Sequence, residues 1–407
     1  VTGAAPRTGP EPPHGNSAFL WSLSLAQLVS WGVVFYSIAV FVVPMRTELD
    51  WSKTALNTGI TIGLLVSGLC APWVGRHIDR GHAWPVMTIG SVLGSVAVAG
   101  WALAPTPAAF WAVSVVTGIA MACTLYEPGF AVLSRALGDR APRAILKMTL
   151  VGGLASTAFM PLAHLLVEAI GWRNAVFALA ATNLVVAGGI HAVMLAPGRL
   201  PGGATTARQD AVPGMSTRAA VADLRFWALL VAFAAYNIAF TAMTFHFLPL
   251  MEERGVDRDI GVALFTLIGP LQVGGRLLLF SRGGAIDARR IGRAVFVVAV
   301  PLFLLAAVAG ADLRLLALFI AVYGVINGIS TVIRGVIVRD IFGPRNYGAI
   351  SGSLTLPANC ARAAGPAAGA LLWSLSESYT PVLAALALMS AAGALAYWRA
   401  TRETGAR

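Results

Sequence analysis

Three long windows of the chain, Ala18 to Met45, Ala83 to Ala104 and Ala175 to Ala196, hold no Asp, Glu, Lys or Arg. Each exceeds the roughly 20 residues that a helix needs to cross a bilayer. Apolar runs bounded by charged or Gly/Pro breaks predict spans near 18–45, 54–75, 83–104, 108–134, 148–169 and 175–196. A second set follows near 226–251, 260–281, 294–311, 315–338, 347–376 and 379–398. The pattern predicts an all-α integral membrane protein with twelve transmembrane helices in two six-helix, pseudo-symmetric halves, 18–196 and 226–398. Between the halves, 197–225 opens on Pro197, Gly198, Pro201, Gly202 and Gly203 and continues with Arg208, Arg218 and Arg225, the composition of a flexible basic linker. Residues 1–17, rich in Pro and Gly without the apolar core of a signal peptide, read as a disordered cytosolic tail, and 399–407 as a second tail.

Composition sharpens this picture. Hydrophobic residues make up 57% and charged residues 12% of the chain, against about 25% charged in soluble domains, so a soluble enzyme of this length is excluded. The net charge of +11 would suggest nucleic acid in a soluble protein. Here the bases cluster in alternate loops, among them Arg76, Arg80, Arg135, Arg140, Arg143, Lys147, Arg289, Arg290, Arg293, Arg339 and Arg345. Acids such as Glu48, Asp50, Glu252, Glu253 and Asp257 gather in the loops between them. That asymmetry predicts both termini in the cytosol, with no nucleic-acid partner. Cys70, Cys123 and Cys360 all fall in apolar runs and show no metal or disulfide spacing.

Between the second and third spans, Gly75-Arg76-His77-Ile78-Asp79-Arg80-Gly81-His82 packs an acid, bases and glycines into eight positions. Glycine permits the reversal, the acid can accept hydrogen bonds from a neighbouring helix start, and the arginines hold the loop on the cytosolic side. The Gly-x-x-x-Asp frame returns at Gly283 to Asp287, and 287 minus 79, or 208 residues, is about half of the 407-residue chain. Two halves of six spans, each with this loop after its second span, resemble the major facilitator superfamily. Gly171-Trp172-Arg173 ahead of the sixth span is a further shared feature, whereas Ala288 stands where the first loop has Arg80. The resemblance implies that Gly75, Asp79, Arg80 and Asp287 brace helix ends in one conformation rather than touch substrate.

Four charges interrupt otherwise apolar spans: Glu127, Arg276, Arg334 and Arg362. A charge at membrane depth is costly enough to be a functional candidate. Arg362 stands about 22 Å into its span at 1.5 Å per residue, near the midplane. The run Ile268-Gly269-Pro270-Leu271-Gln272-Val273-Gly274-Gly275-Arg276 resembles the eighth span of the monocarboxylate and oxalate/formate branches, which implies that Arg276 receives a substrate carboxylate. Some of those carriers have an acid where Gln272 stands and a lysine in span 1, where this chain has none. Tyr126, Asn359, Tyr36 and Tyr236 are further candidates for the substrate site. Glu127 and Arg334 lie equally deep, at 127 minus 108 and 334 minus 315, each 19 residues into its span. Equal depth predicts an ion pair that joins the halves when the cytosolic side closes and that protonation of Glu127 or arrival of substrate releases.

The expected function is secondary active transport of a small, monocarboxylate-like organic anion by alternating access, coupled to protons, by a monomer in a bacterial inner membrane. The alternative is a drug or metabolite efflux antiporter. Such antiporters carry a Gly-Pro signature in span 5, and Val151-Gly152-Gly153-Leu154-Ala155-Ser156-Thr157 lacks it. Zinc, phosphate-loop and nucleophile-elbow motifs are missing and the six histidines are scattered. No enzyme activity, cofactor or metal is expected.

Overall fold

A computed structural model of the chain describes residues 13–201, 214–281 and 287–402. The expected turn at Gly283-Gly284 and the linker residue Arg208 lie outside the described residues, as do the outer parts of both tails. Bilayer hydrocarbon offers backbone groups no water to bond, so an apolar segment must pair them within itself. Helix is accordingly the only regular structure among the described residues. The first half comprises α1 (Pro13–Ser30), a π-helical stretch Trp31–Tyr36, α2 (Ile38–Leu49), α3 (Lys53–Asp79), α4 (Ala83–Leu103), α5 (Pro107–Thr124) and α6 (Tyr126–Leu137). It continues through a 3-10 turn, Gly138–Arg140, into α7 (Ala141–Gly152), α8 (Ala155–Ile170), α9 (Trp172–Thr182), a second π-helical stretch Asn183–Gly188 and α10 (Gly189–Met194). After α11 (Thr217–Ala222), the second half runs through α12 (Leu224–Glu253), α13 (Arg258–Thr266), α14 (Ile268–Ser281), α15 (Ala288–Val308), α16 (Leu313–Phe342), α17 (Tyr347–Ser376) and α18 (Tyr379–Thr401).

Ten stretches among the described residues are long and apolar enough to cross a membrane. One of them, Pro107–Ile170, has 64 residues, about three times the crossing length. Both its ends lie at one face of the protein: Trp111 donates to the Ala55 carbonyl at 2.8 Å, and Trp172 and Arg173, just past Ile170, donate to Glu48. Its middle meets the other face, where Arg339 donates to the Gly138 carbonyl. The stretch therefore goes across and returns. Helix α17 has 30 residues, and its Arg362 and many small residues dilute its hydropathy.

Two helix breaks fall beside the interior of the protein. The expected span 108–134 is interrupted at Leu125, whose backbone is extended (φ −80°, ψ −157°), and α6 restarts at Tyr126 with Glu127 and Pro128 in its first turn. Proline fits there because the first turn leaves its N–H groups unbonded, and the acid faces the positive end of the helix dipole. The expected span 148–169 is likewise divided at Gly153-Leu154, between α7 and α8. Within the expected linker, the Met215 N–H donates to the Phe342 carbonyl at 2.8 Å, and Asn346 Nδ2 donates to the Met215 carbonyl at 3.0 Å. Asp223 then caps α12, and its hydrogen-bonded pair with Arg225 holds its carboxyl below the usual carboxylate range.

The halves meet along α3 and α17, which approach until backbone touches backbone. A Cβ on Gly75 would overlap the Gly348 carbonyl, and one on Gly352 the Ala71 carbonyl. Larger residues would wedge this seam apart at about 1–3 kcal/mol each. Gly75→Leu should therefore shift the balance away from the closed form by about 5- to 150-fold. Spin labels on cysteines replacing Arg80 and Arg290 should report a longer separation in that variant than in the parent.

Candidate functional site

A cavity of about 400 Å³ lies between the halves. Each surrounding helix presents one face to it, at the spacing of three or four residues that returns a helix to the same side. From α12 come Phe233, Tyr236, Asn237, Phe240, Thr241 and Thr244; from α14, Gly269, Gln272 and Arg276; from α16, Asn327, Ser330, Thr331 and Arg334; from α17, Thr355, Asn359 and Arg362. The first half supplies an aromatic wall of Trp31, Phe35, Tyr36, Tyr126 and Phe130, with Glu127, Gly152 and Gly153 beside it. Arg362, Arg276, Tyr126, Gln272, Asn359, Tyr36, Tyr236, Glu127 and Arg334, scattered over all four quarters of the sequence, are thus brought to one place.

The charges are unevenly matched. Arg334 and Glu127 form an ion pair across the halves, with side chains 23% and 24% exposed, so a solute in the cavity can compete for it. Arg276 is 4% exposed; its Nε donates to the Gly328 carbonyl at 3.3 Å while Nη1 has no hydrogen-bond partner. Its guanidinium rests against Gly153, where any Cβ would overlap it. Arg362 lies within electrostatic reach of the Tyr36 phenol, which is itself within reach of Arg276. No acid among the described residues forms an ion pair with Arg276 or Arg362.

Neutral groups complete the walls. The Trp31 ring sits 4.8 Å from that of Tyr126, which stacks on Phe130 at 5.2 Å. Tyr236 donates to Asn327 Oδ1 at 3.3 Å and stacks on Phe240 at 4.0 Å. Asn359 Nδ2 donates to the Leu64 carbonyl at 3.0 Å, tying α17 to α3 across the cavity floor.

Below that floor the halves are sealed. Both oxygens of the Asp79 carboxylate accept backbone N–H groups at the start of α17, from Gly348 at 2.9 Å and Ala349 at 2.8 Å. The α17 N-cap residue Asn346 makes no side-chain cap bond, so this helix takes its cap from the other half. Arg135 donates to the Asp79 carbonyl, and Arg339 donates to the Ser134 and Gly138 carbonyls and pairs with Asp139 at 3.5 Å. Arg80 is exposed, and Arg135 occupies the bracing position beside Asp79. Asp287 stays within its own half, accepting the Arg290 N–H at 3.0 Å and pairing with the Arg290 side chain at 3.1 Å. Toward the opposite face each half keeps a clasp of its own. Glu48 accepts from Trp172 and Arg173, and Glu253 accepts from Trp373 at 2.9 Å and from the Tyr379 N–H at 2.8 Å.

A sequence profile of the Major Facilitator Superfamily matches residues 23–300, well over half of the chain. The protein belongs to the major facilitator superfamily. It is a multi-pass membrane transporter and not an enzyme. Solved structures repeat the fold over nearly its whole length. The human organic anion transporter MFSD10 (TETRAN) aligns at TM-score 0.69 and 18% identity, covering 95% of this chain and 100% of its own. The E. coli fucose:proton symporter FucP aligns at 0.70 and 13%, covering 96% and 100%. The proton:xylose symporter XylE bound to 6-bromo-6-deoxy-D-glucose aligns at 0.72 and 12%, covering 96% and 97%. At these identities the likeness establishes the fold alone. A comparison with curated protein sequences finds no match.

Several lining residues of this transporter escape the reading of the sequence: Thr241, Asn327, Ser330 and Thr331, together with the seat that Gly153 leaves for Arg276. The signal is present as helical spacing, since 327, 330, 331 and 334 fall on one face of α16. The bracing role of Arg135 has no such signal, because it depends on where α6 ends relative to α3.

Removing the Asp79 carboxylate leaves two buried N–H groups of α17 without acceptors, a loss of about 1–2 kcal/mol. Asp79→Ala should shift the conformational balance toward an open loop end by about tenfold, read as the same spin-label separation. With the first label moved to the exposed His82, Arg80→Ala should leave that balance within about twofold, as expected of an exposed substitution.

Proposed function

We propose that twelve helices cross the membrane and that the protein moves a small organic anion, monocarboxylate-like in size, by alternating access. The observation that supports this most is the charge balance of the cavity: three arginines and one acid line it, and that acid is engaged by Arg334. Two guanidinium groups in a low-dielectric site cost several kcal/mol unless something compensates them. A carboxylate does so with two parallel hydrogen bonds per guanidinium, a geometry that lysine does not offer. One of the fold neighbours is an organic anion transporter, which is in keeping with this reading.

Protons are the proposed coupling ion and Glu127 their carrier. In the present form the loop end is sealed and Glu127 is bound to Arg334. Protonation removes the acid's charge, releases Arg334 and weakens one of the ties between halves, so the sealed end can part. By the positive-inside rule the arginine-rich loops support a cytosolic position for that end and for both termini, and a bacterial inner membrane is the proposed location. An efflux antiporter for amphipathic cations would suit the aromatic wall, but Arg276 and Arg362 would repel its cargo.

Thermal stabilisation of the purified full-length transporter tests the anion site. Carboxylates should raise its melting temperature by a few degrees, and Arg276→Ala or Arg362→Ala should each abolish the shift. Stabilisation by lipophilic cations that survives both substitutions would favour the antiporter. In proteoliposomes, Glu127→Gln should abolish the pH dependence of transport while binding persists, and an unaltered pH profile would remove Glu127 from the coupling.

A further inference from the structure

The hydroxyls of the second half's cavity wall have already used their protons. Thr241 Oγ1 donates to the Asn237 carbonyl at 2.7 Å, Ser330 Oγ to the Asn327 carbonyl at 2.9 Å, and Thr331 Oγ1 to the same carbonyl at 3.3 Å. Asn237 spends an amide proton on the Phe233 carbonyl at 2.9 Å. A hydroxyl has one proton and two lone pairs, and an amide oxygen only accepts. What these hydroxyls turn toward a ligand is therefore lone pairs, set beside the amide groups of Asn237, Gln272 and Asn327, and a ligand that fits them must donate hydrogen bonds to the hydroxyl oxygens.

The commonest donors on small metabolites are hydroxyl and ammonium. An ammonium needs a counter-charge. The acid lining the cavity, Glu127, belongs to the opposite half and is already paired, while Arg276 and Arg362 repel a cation. Hydroxyls donate without carrying charge. Resting on the proposal that the cargo is an anion, we infer that the substrate is a polyhydroxylated carboxylate of the sugar-acid type. Its carboxylate meets the free guanidinium groups, its hydroxyls donate to the α12 and α16 wall, and its carbon skeleton lies against Trp31 and Tyr36. A cavity of about 400 Å³ is within the roughly 300–1,000 Å³ of small-molecule sites.

Matched probes test this on the full-length transporter in detergent, by calorimetric or thermal-shift affinity. Gluconate is set against hexanoate, glucuronate against cyclohexanecarboxylate, and glucose and 6-aminohexanoate are included as the neutral and the ammonium-bearing arms. In at least one pair the hydroxylated acid should bind about tenfold or more tightly than its bare partner, because a site built to receive hydrogen bonds discriminates against a ligand that lacks them. In Ser330→Ala/Thr331→Val that preference should shrink about tenfold. Equal affinities in both pairs would overturn the inference and leave the anion site intact. Glucose binding as tightly as glucuronate, and unaffected by Arg362→Ala, would overturn the anion reading itself. Tighter binding of 6-aminohexanoate than of gluconate would assign the acceptor wall to ammonium and overturn the inference.

Discussion

A guanidinium or carboxylate held at membrane depth costs several kcal/mol unless it is paired, and the four charges in the cavity are arranged around that cost. Glu127 and Arg334 meet it by binding each other across the halves. Arg276 meets it in part, through one carbonyl of α16 and a seat against the bare backbone of Gly153, with one nitrogen left free. Arg362 forms no ion pair among the described residues and lines the cavity within electrostatic reach of Tyr36. A site that leaves positive charge uncompensated is unstable when empty relative to when it holds an anion. The same imbalance supports both the choice of substrate charge and a reason for binding to favour particular arrangements of the halves.

The seal at the loop end is of a different kind. It consists of carboxylate and guanidinium groups bound to main-chain atoms at helix ends, where unbonded N–H and C=O groups are always available. Beside them α3 and α17 meet backbone to backbone at Gly75, Gly348 and Gly352. The two halves do not use their equivalent acids alike: Asp79 reaches across to α17, and Asp287 caps its own helix. The clasps of Glu48 and Glu253 at the opposite face stay inside their halves. In this form the ties between the halves thus concentrate at the loop end and the cavity floor, the distribution expected of a carrier closed toward that side.

Much was legible in the chain itself. Runs without charge announce membrane helices because bilayer hydrocarbon tolerates neither charge nor an unpaired backbone, so composition and periodicity alone determine an all-α membrane protein, while the reading of two related halves rests on the repeated Gly-x-x-x-Asp frame. The four intramembrane charges stand out for the same reason, and equal depth allows the pair that Glu127 and Arg334 form. What the chain could not settle depends on relative placement. Arg135 rather than Arg80 braces Asp79, Gly153 makes the seat for Arg276, and the hydroxyls of α12 and α16 turn their lone pairs inward. Each of these is a contact between helices distant in sequence, or a choice of hydrogen-bond partner that only packing imposes. Residue type sets what must be buried and what must be bonded, whereas tertiary structure decides which group does the bonding and which is left free for a ligand.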